Sequence, residues 1–502
     1  MKILLIKPYF TINTEDAQTY GFFPPMGLAY IASVLEQNNF TVKIIDCQLP
    51  NKKIRINKNV GLVKIGISDN EIKNIIKEFA PDVIGISINF TSFAKDALNI
   101  AKLAKATSPE TIVVIGGAYA TIAYQEILKN SCIDIAVLGE GEITFLELIK
   151  KIQNEESYLN IPGIALAKNE GKIITTPARE PIKNLDELPF PSYHLLKMDR
   201  YINQHDKNFA FYKAYPVGFI MSSRGCPYNC IFCSTSKFFK KYRERSAKNV
   251  VDEIEFLVET YKVKEIHFFD DCFNANRKRT ESICQEIIDR QLNIYWQVGQ
   301  GMAIKNIDEP LLHLMVKSGL YRIGFSLESG SYNTLKYIRK PIDLEHSLEV
   351  INLCNKLGLY THGNFVMGFP SETKEELDKT INYIMKSNLD FINLTICQPL
   401  AGSDLYDSYK ESKLLGENEQ PKEGSHYLNT LYDTLYLKAN ELNILRKNTV
   451  RKFLIKKILQ SMTPQGFKIV IYPKITSIDK ILFFLKIAYN TLKLIILRKN
   501  IA

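Results

Sequence analysis

Short apolar segments alternate with amphipathic segments along the first 150 residues of this 502-residue chain. Apolar runs rich in β-branched residues predict strands, and apolar residues spaced three or four apart predict helices between them. The predicted strands are Ile3–Ile6, Val42–Asp46, Val83–Ile88, Ile112–Ile115 and Ile135–Leu138, and the predicted helices are Gly27–Gln37, Glu71–Ala80, Ser92–Ala106, Thr121–Lys129 and Glu142–Ile152. This order predicts an α/β fold over residues 1–154, a doubly wound parallel sheet with helices on both faces.

A second alternating region follows a connector, residues 155–215, in which five prolines predict turns and Gly163–Thr176 predicts a short hairpin. Within residues 216–410 the predicted strands are Gly218–Ser222, Glu265–Phe269, Ile294–Val298, Arg322–Leu327, Tyr360–Met367 and Phe391–Ile396, and the predicted helices are Lys248–Tyr261, Arg277–Arg290, Glu309–Ser318, Leu344–Leu357 and Lys374–Ser387. Six such repeats predict a partly open barrel of the TIM type, with its active site at the carboxyl ends of the strands.

The last region, residues 411–502, is predicted to be helical and carries most of the net charge. Residues 425–502 contain 14 Lys and Arg against 3 Asp and Glu, whereas the whole chain has a formal net charge of +10. The rest of the chain is therefore close to neutral, so we expect no nucleic-acid partner. In Ile478–Lys499, one helical face carries Asp479, Lys486, Asn490 and Lys493, and apolar side chains occupy the rest. Such a helix either packs on the protein itself or lies on a membrane surface.

The cysteine content and the hydropathy bear on the compartment. Nine cysteines in so long a chain are not a disulfide framework, and they indicate a reducing interior. No run of about 18 uncharged apolar residues occurs, so no membrane span is predicted. We therefore expect a cytoplasmic protein, with peripheral contact at the inner face of the membrane as the alternative that the C-terminal helix raises.

Cys226, Cys230 and Cys233 follow the first predicted barrel strand with the spacing C-x3-C-x2-C. Three thiolates on one short loop can hold three corners of a cubane iron–sulfur cluster. The next cysteine is Cys272, so one iron of such a cluster would lack a protein ligand and could bind a small molecule. The alternatives are a zinc site, which usually needs four N or S ligands, and three unrelated thiols.

The cysteine loop and the strand ends around it resemble those of cobalamin-binding radical S-adenosylmethionine enzymes, the group that contains the class B methylases and the anaerobic magnesium-protoporphyrin monomethyl ester cyclase. The resemblance covers about residues 1–405. It implies that the three cysteines bind a 4Fe-4S cluster, and that S-adenosylmethionine binds the open iron and yields a 5′-deoxyadenosyl radical. It also implies that S-adenosylmethionine is contacted by Phe232, Asp270, Asp271, Glu328 and Gly368.

The N-terminal region resembles the cobalamin domain of the same group. The resemblance implies cobalamin contacts at Pro25, Gly27, Ser87, Gly116, Gly117, Gly139 and Gly141. Ordinary tight turns between strand and helix are the alternative explanation of the glycines. The motif D-x-H-x-x-G, whose histidine ligates cobalt in other cobalamin proteins, is absent, and no histidine precedes His194. Tyr119 also stands where relatives often carry histidine. Any cobalamin must therefore be bound without a histidine from this domain.

The resemblance implies methyl transfer to an unactivated carbon, or to phosphorus, of a small-molecule or lipid-like substrate, with an electron donor such as flavodoxin or ferredoxin. Radical oxidation or cyclisation without methyl transfer is the alternative. A methylthiotransferase is disfavoured, because that group carries three further cluster cysteines in its N-terminal domain and only Cys47 and Cys132 occur here. A non-catalytic cobalamin or iron–sulfur sensor is the remaining possibility.

Overall fold

The computed structural model describes residues 1–13, 22–49, 53–57, 62–167, 172–202, 212–400, 402–415 and 428–499, with residues 53–57 and 490–499 described through their backbone. The chain divides into two compact units, Met1–Phe209 and Ala210–Asn500. Both units are α/β, as predicted. In the part of the chain that the structure describes, no helix is both long and apolar enough to cross a membrane.

The first unit contains the predicted doubly wound sheet. Its parallel strands are Lys2–Lys7, Thr41–Asp46, Val83–Ser87, Ile112–Gly116 and Ile135–Val137, and its helices are Met26–Gln37, Asp69–Phe79, Ala94–Thr107, Ala118–Ile127 and Gly141–Gln153. Strands covered on both faces need apolar side chains in both directions, which explains their continuous apolar runs. The spatial order reverses beside Lys2–Lys7, which pairs with both Thr41–Asp46 and Val83–Ser87. Ligands of such folds bind outside the carboxyl ends of the strands at this reversal.

Two features of the first unit add to the predicted sheet. The predicted hairpin is present as Ile164–Ala167 and Ile173–Thr175, and it extends the sheet in the antiparallel direction. Residues 168–171 between them lie outside the described residues. A separate three-stranded antiparallel sheet, formed by Phe10–Asn13, Lys53–Asn57 and Leu62–Ile65, was not predicted.

The second unit contains six parallel strands that neighbour each other in chain order, the arrangement predicted for a partial barrel. The strands are Val217–Ile220, Glu265–Phe268, Tyr295–Met302, Leu320–Glu328, Tyr360–Met367 and Phe391–Ile396, which we call barrel strands one to six. The main helices between them are Ala247–Tyr261, Arg277–Asp289, Glu309–Lys317, Leu344–Lys356 and Lys374–Lys386. A side-chain oxygen of the preceding residue caps the start of each helix, at Ser246, Asn276, Asp308, Asp343 and Thr373.

The C-terminal region is helical, as predicted, and its main helices are Ala439–Ser461 and Ile478–Lys499. Phe483 and Ile487 of the second helix are 6% exposed and pack with Tyr321 and Tyr360 of the barrel. One side of this helix therefore packs on the protein itself. The opposite side exposes Ile478, Leu482, Leu485 and Tyr489, at helical spacing. The predicted polar positions Asn490 and Lys493 lie outside the described side chains.

The domain boundaries at residues 154, 215 and 410 stay predictions. The division into compact units falls at residues 209 and 210, near the predicted end of the connector.

Candidate active site

The cysteine loop begins where barrel strand one ends. Gly225 has a φ of +81°, and a Cβ there would lie 2.7 Å from the carbonyl oxygen of Lys241. A glycine is therefore needed for the turn that leads into Cys226. Beyond the turn, the N–H of Cys233 donates to the carbonyl oxygen of Cys230 at 3.1 Å. These contacts place the three cysteines on one compact loop at the carboxyl edge of the sheet.

The three thiols have unequal surroundings. A hydrogen bond from the Cys272 thiol, together with a backbone donor at Tyr228, lowers the pKa of Cys226 to about 7. The pKa of Cys272 is correspondingly raised. Burial raises the pKa of Cys230 to about 11 and also raises that of Cys233. Cys226 is therefore the thiol most readily present as thiolate, the form that binds metal.

The cysteines fit a cluster better than a single ion. In the described residues, no three His, Cys, Asp or Glu side chains are grouped closely enough to hold one metal ion. A cubane separates its thiolates more widely, because each binds a different iron. Cys226, Cys230 and Cys233 nevertheless share one loop. They are close enough for the charge of one to raise the pKa of another. This donor set suits a 4Fe-4S cluster and does not suit a tetrahedral zinc site.

Asp270 and Asp271 follow barrel strand two and have different surroundings. Asp270 is 5% exposed, and its carboxylate accepts hydrogen bonds from the N–H of Ser222 at 2.7 Å and from the hydroxyls of Ser222 and Ser223, the latter at 2.7 Å. Asp271 is exposed as a residue, yet its carboxylate is crowded by the loop, where it accepts from the N–H of Gly225 at 3.2 Å. Lost hydration, followed by repulsion from Asp270, raises the pKa of Asp271 to about 6. The hydrogen bonds of Asp270 are therefore used to hold Ser222 and Ser223. Asp271 is the carboxylate better placed to bind a ligand.

Glu328 ends barrel strand four in a left-handed conformation, with a φ of +64°. Left-handed backbone is uncommon for a residue with a side chain and concentrates at functional sites. The Glu328 side chain is buried, and its Oε1 lies 3.5 Å from Nζ of Lys340. Burial raises the pKa of Glu328, while the nearby ammonium acts in the opposite direction.

The segment after barrel strand five is a turn built around Gly368, which has a φ of +79°. The buried carboxyl group of Glu372 accepts, through Oε2, from the N–H groups of Gly368 at 2.7 Å and Phe369 at 3.4 Å. Burial raises the pKa of Glu372 to about 8. The Phe369 ring lies 5.9 Å, centroid to centroid, from the ring of Phe232 on the cysteine loop. The turn and the cysteine loop therefore form adjoining walls of one site.

The carboxyl edge of the first unit is built from backbone and glycines. Gly117 has a φ of +105°, and a Cβ there would lie 2.5 Å from the Asn89 side chain and 2.9 Å from the Ile88 carbonyl oxygen. Gly116 pairs with Ser87 on the neighbouring strand, and its carbonyl oxygen accepts from the N–H of Ile88 at 2.7 Å. The two strand ends are thereby held together by main-chain contacts.

Four further predicted residues line the same edge. Among the described residues, which do not include 14–21, a Cβ at Gly27 or at Gly139 would meet no atom within 4 Å, so both positions are open with respect to that part of the chain. Gly141 begins the helix Gly141–Gln153, and a Cβ there would lie 2.9 Å from the Ile31 side chain. Pro25 directly precedes the helix Met26–Gln37. Open space beside backbone at the carboxyl end of a parallel sheet suits a large ligand.

The predictions missed Lys340, Glu372 and the contact between Cys272 and Cys226. Glu372 stands in the segment that carries the resemblance, but nothing local shows that its carboxylate closes the turn. A buried strand-end carboxylate such as Glu328 needs a cation, and that requirement was the available signal for Lys340. The assignments of individual residues to the cofactors remain predictions.

The comparisons with known proteins agree with this two-site arrangement. A B12 binding domain matches residues 16–149, and a Radical SAM superfamily domain matches residues 220–384. The chain belongs to the cobalamin-dependent radical S-adenosylmethionine enzymes and is a methyltransferase of that class. Its cofactors are a 4Fe-4S cluster, S-adenosylmethionine and cobalamin, as predicted.

Individual relatives cover most of the chain. An uncharacterized methyltransferase of Pyrococcus horikoshii is 36% identical over 83% of this chain and 84% of its own. The cytidylyl-2-hydroxyethylphosphonate methyltransferase of Streptomyces wedmorensis is 31% identical over 80% of both chains. The anaerobic magnesium-protoporphyrin IX monomethyl ester cyclase of Rubrivivax gelatinosus is 30% identical over 81% of this chain and 69% of its own. The radical S-adenosylmethionine methyltransferase TsrM from Kitasatospora setae, solved with tryptophan and a cofactor analogue, shares the fold with a TM-score of 0.70, 15% identity and 99% coverage of both chains.

Proposed function

We propose that this methyltransferase acts on an unactivated carbon, or on phosphorus, of a small-molecule or lipid-like acceptor. The observation that carries the proposal is the convergence of Cys226, Asp271, Glu328 and Gly368 on the carboxyl ends of barrel strands one, two, four and five. Active sites of such barrels lie at that edge. The relatives named for methyl transfer to a phosphonate and for binding tryptophan support acceptors of small size.

The chain's own residues have distinct roles in this proposal. Cys226, Cys230 and Cys233 hold the cluster, and Asp270 fixes the loop that carries them through Ser222 and Ser223. Asp271 and Glu328 bind the polar end of S-adenosylmethionine. Phe232 and the Gly368 turn form the wall beside its adenine. When bound, the cluster and S-adenosylmethionine supply the radical that removes hydrogen, and cobalamin supplies the methyl group.

Product analysis with methyl-deuterated S-adenosylmethionine tests the acceptor. The reconstituted full chain is incubated without oxygen with a one-electron reductant of the flavodoxin or ferredoxin class, and with cytidylyl-2-hydroxyethylphosphonate or tryptophan as acceptor. Deuterated methyl product, formed together with S-adenosylhomocysteine, would support the proposal. Deoxyadenosine formed with an oxidised or cyclised product and no transferred label would favour the cyclase-type alternative, which the Rubrivivax gelatinosus relative represents.

We also propose that cobalamin is held without a protein nitrogen ligand. Met1–Phe209 contains two histidines, His194 and His205, and His205 lies outside the described residues. The His194 side chain is 65% exposed, and its Nε2 lies 2.9 Å from Oε1 of Glu36. No histidine precedes it in the sequence. Electron paramagnetic resonance of the cob(II)alamin form should therefore lack nitrogen superhyperfine splitting. A resolved three-line pattern would reject this part of the proposal.

The exposed side of the C-terminal region supports a peripheral membrane contact. Of the 19 most exposed large apolar side chains in the described residues, 15 lie between Leu431 and Tyr489. A concentrated apolar surface on a basic segment suits the interface of an anionic bilayer. We propose that this surface, centred on Ile478, Leu482, Leu485 and Tyr489, rests on anionic lipid.

Vesicle co-sedimentation tests this surface. The double variant Leu482→Glu/Leu485→Glu should lose binding to phosphatidylglycerol vesicles, because both side chains are more than half exposed and their replacement leaves the packed Phe483 in place. Leu159→Glu is the matched control, since Leu159 is 45% exposed in the first unit. If the wild-type protein does not co-sediment with phosphatidylglycerol vesicles at low salt, the proposed membrane contact is wrong.

A further inference from the structure

Lys340 is a partly buried cation beside the cysteine loop. Its side chain is only 16% exposed, and that of its partner Glu328 is 7% exposed. Placing an ammonium away from water is unfavourable unless opposite charge compensates it. The Glu328 carboxylate at 3.5 Å supplies part of that compensation.

The backbone ties Lys340 to the cysteines. The N–H of Ile231, between Cys230 and Cys233, donates to the carbonyl oxygen of Ile338 at 3.3 Å. The Lys340 ammonium also lies 5.9 Å from the centroid of the Tyr228 ring, on the same loop. The segment that carries Lys340 is therefore hydrogen-bonded to the cysteine loop, and its charge lies beside that loop.

Cysteines in the thiolate form, which binds metal, add to this compensation. Burial by itself lowers the pKa of Lys340, but the negative charges of Glu328, Cys230 and Cys226 together raise it above its ordinary value. The ammonium thus has a carboxylate at 3.5 Å and lies within electrostatic reach of two of the three cysteines. A positive charge in this place favours any additional negative charge on the group that those cysteines bind.

We propose that Lys340 is a positioning residue whose ammonium, fixed by Glu328 beside Cys226 and Cys230, raises the reduction potential of the bound cluster. The inference rests on the proposed role of the three cysteines as cluster ligands. One electron enters the cluster from an external donor, such as a flavodoxin or ferredoxin, and no bond is made or broken in that step. The ammonium favours the reduced cluster because reduction adds one negative charge.

The test is the midpoint potential of the cluster in the reconstituted full chain, measured by dithionite titration with electron paramagnetic resonance and without S-adenosylmethionine. Lys340→Gln should lower the potential, and Glu328→Gln should raise it, because the two changes remove opposite charges. Lys340→Arg keeps the charge and should stay near the wild-type potential. Lys305→Gln is the matched control, since the exposed Lys305 ammonium lies 5.0 Å from the same Tyr228 ring and should leave the potential unchanged.

The signs of the shifts decide the matter. A wild-type potential in both Lys340→Gln and Glu328→Gln, or shifts of the same sign in the two variants, would overturn the inference. If Lys340→Gln fails to retain iron, the opposite shift expected of Glu328→Gln still supports or overturns it. Wild-type protein without a 4Fe-4S cluster would overturn the proposed function itself, which is a different result from a cluster that is insensitive to Lys340.

Discussion

The carboxyl edges of the two sheets carry different kinds of residue. In the first unit, the predicted contacts are mainly glycines and main chain, and no described residue comes within 4 Å of a Cβ placed at Gly27 or Gly139. In the second unit, the corresponding edge carries thiols, among them Cys226, and charged groups, among them the buried Glu328 and the partly buried Lys340. The edge of the first sheet has space for a large cofactor, whereas the edge of the second sheet has side chains that can bind one.

The difference follows from what each cofactor requires. Cobalamin is large and carries its own metal, so a domain that holds it without a protein nitrogen ligand must mainly leave space and supply backbone contacts. A cluster requires thiolates from the chain, and its potential responds to nearby charge. Substitutions should therefore act through volume at the first edge and through charge or ligation at the second.

The largest effect is expected at Gly117. Gly117→Val should lower the free energy of unfolding of the first unit by about 2–5 kcal/mol, because its φ is +105° and its Cβ would clash with the Ile88 carbonyl. The fraction of cobalamin retained after anaerobic reconstitution and gel filtration should fall together with that stability. Gly116→Ala is the control for stability, since its Cβ would meet its nearest atom at an ordinary 3.7 Å. Equal stability of Gly117→Val and wild type would contradict the volume argument.

Substitutions of Asp270 and of Asp271 should have different effects. Asp271→Ala should weaken S-adenosylmethionine binding by about 1.5–3 kcal/mol, the usual worth of a hydrogen bond to a charged group, while iron content stays normal. Asp270→Ala should instead reduce iron content, because it releases Ser222 and Ser223 from the strand end. Calorimetric titration and iron analysis measure the two effects. Identical profiles for the two variants would show that the aspartates do not differ as their contacts indicate.

Glu372 gives the barrel edge a pH dependence. Its pKa is raised from 4.5 in the unfolded chain to about 8 in the fold, so its protonated form contributes stability that is lost as the pH rises through about 8. Between these two values, unfolding free energy should fall by about 1.4 kcal/mol per pH unit through this group. Glu372→Gln should remove that slope in denaturant titrations of the second unit's unfolding. An unchanged slope would mean that Glu372 is ionised in the fold.

The smallest effect is expected at Gly27. Gly27→Ala should stabilise the first helix by about 0.5–1 kcal/mol, because alanine restricts the unfolded chain and its Cβ meets no atom of the described residues within 4 Å. Cobalamin affinity should nevertheless fall if the ligand occupies that open space. Thermal unfolding and equilibrium binding measure the two quantities. Affinity equal to wild type would remove Gly27 from the cobalamin site.

The sequence was a good guide where local pattern determines structure. Apolar periodicity predicted the sheet strands to within a few residues, and the strand-end position of Cys226 followed from it. The three-stranded sheet was missed because segments such as Lys53–Asn57 are short and rich in charge, so their alternation resembles a polar loop. The helix predicted at Thr121 begins at Ala118, directly after Gly117.

Contacts between separate strand ends could not be predicted from local pattern. The different partners of Asp270 and Asp271 depend on which carboxylate turns toward Ser222, and the pairing of Glu328 with Lys340 depends on the path of the loop between them. Phe232 and Phe369 meet only because barrel strands one and five end at the same edge. The sequence therefore predicted which kinds of side chain form the site. The structure was needed to show which of their charges lie close together.

Metal analysis of Cys230→Ala is the most direct test of the two-edge account. Wild-type chain reconstituted anaerobically with iron, sulfide and cobalamin should hold about four iron atoms and about one cobalt. Cys230→Ala should lose the iron and deoxyadenosine formation while it retains cobalt, because the two edges bind their cofactors by separate means. Cys284→Ala, which removes a buried thiol outside the loop, is the control. Normal iron in Cys230→Ala, or no cobalt in the wild type, would contradict the account.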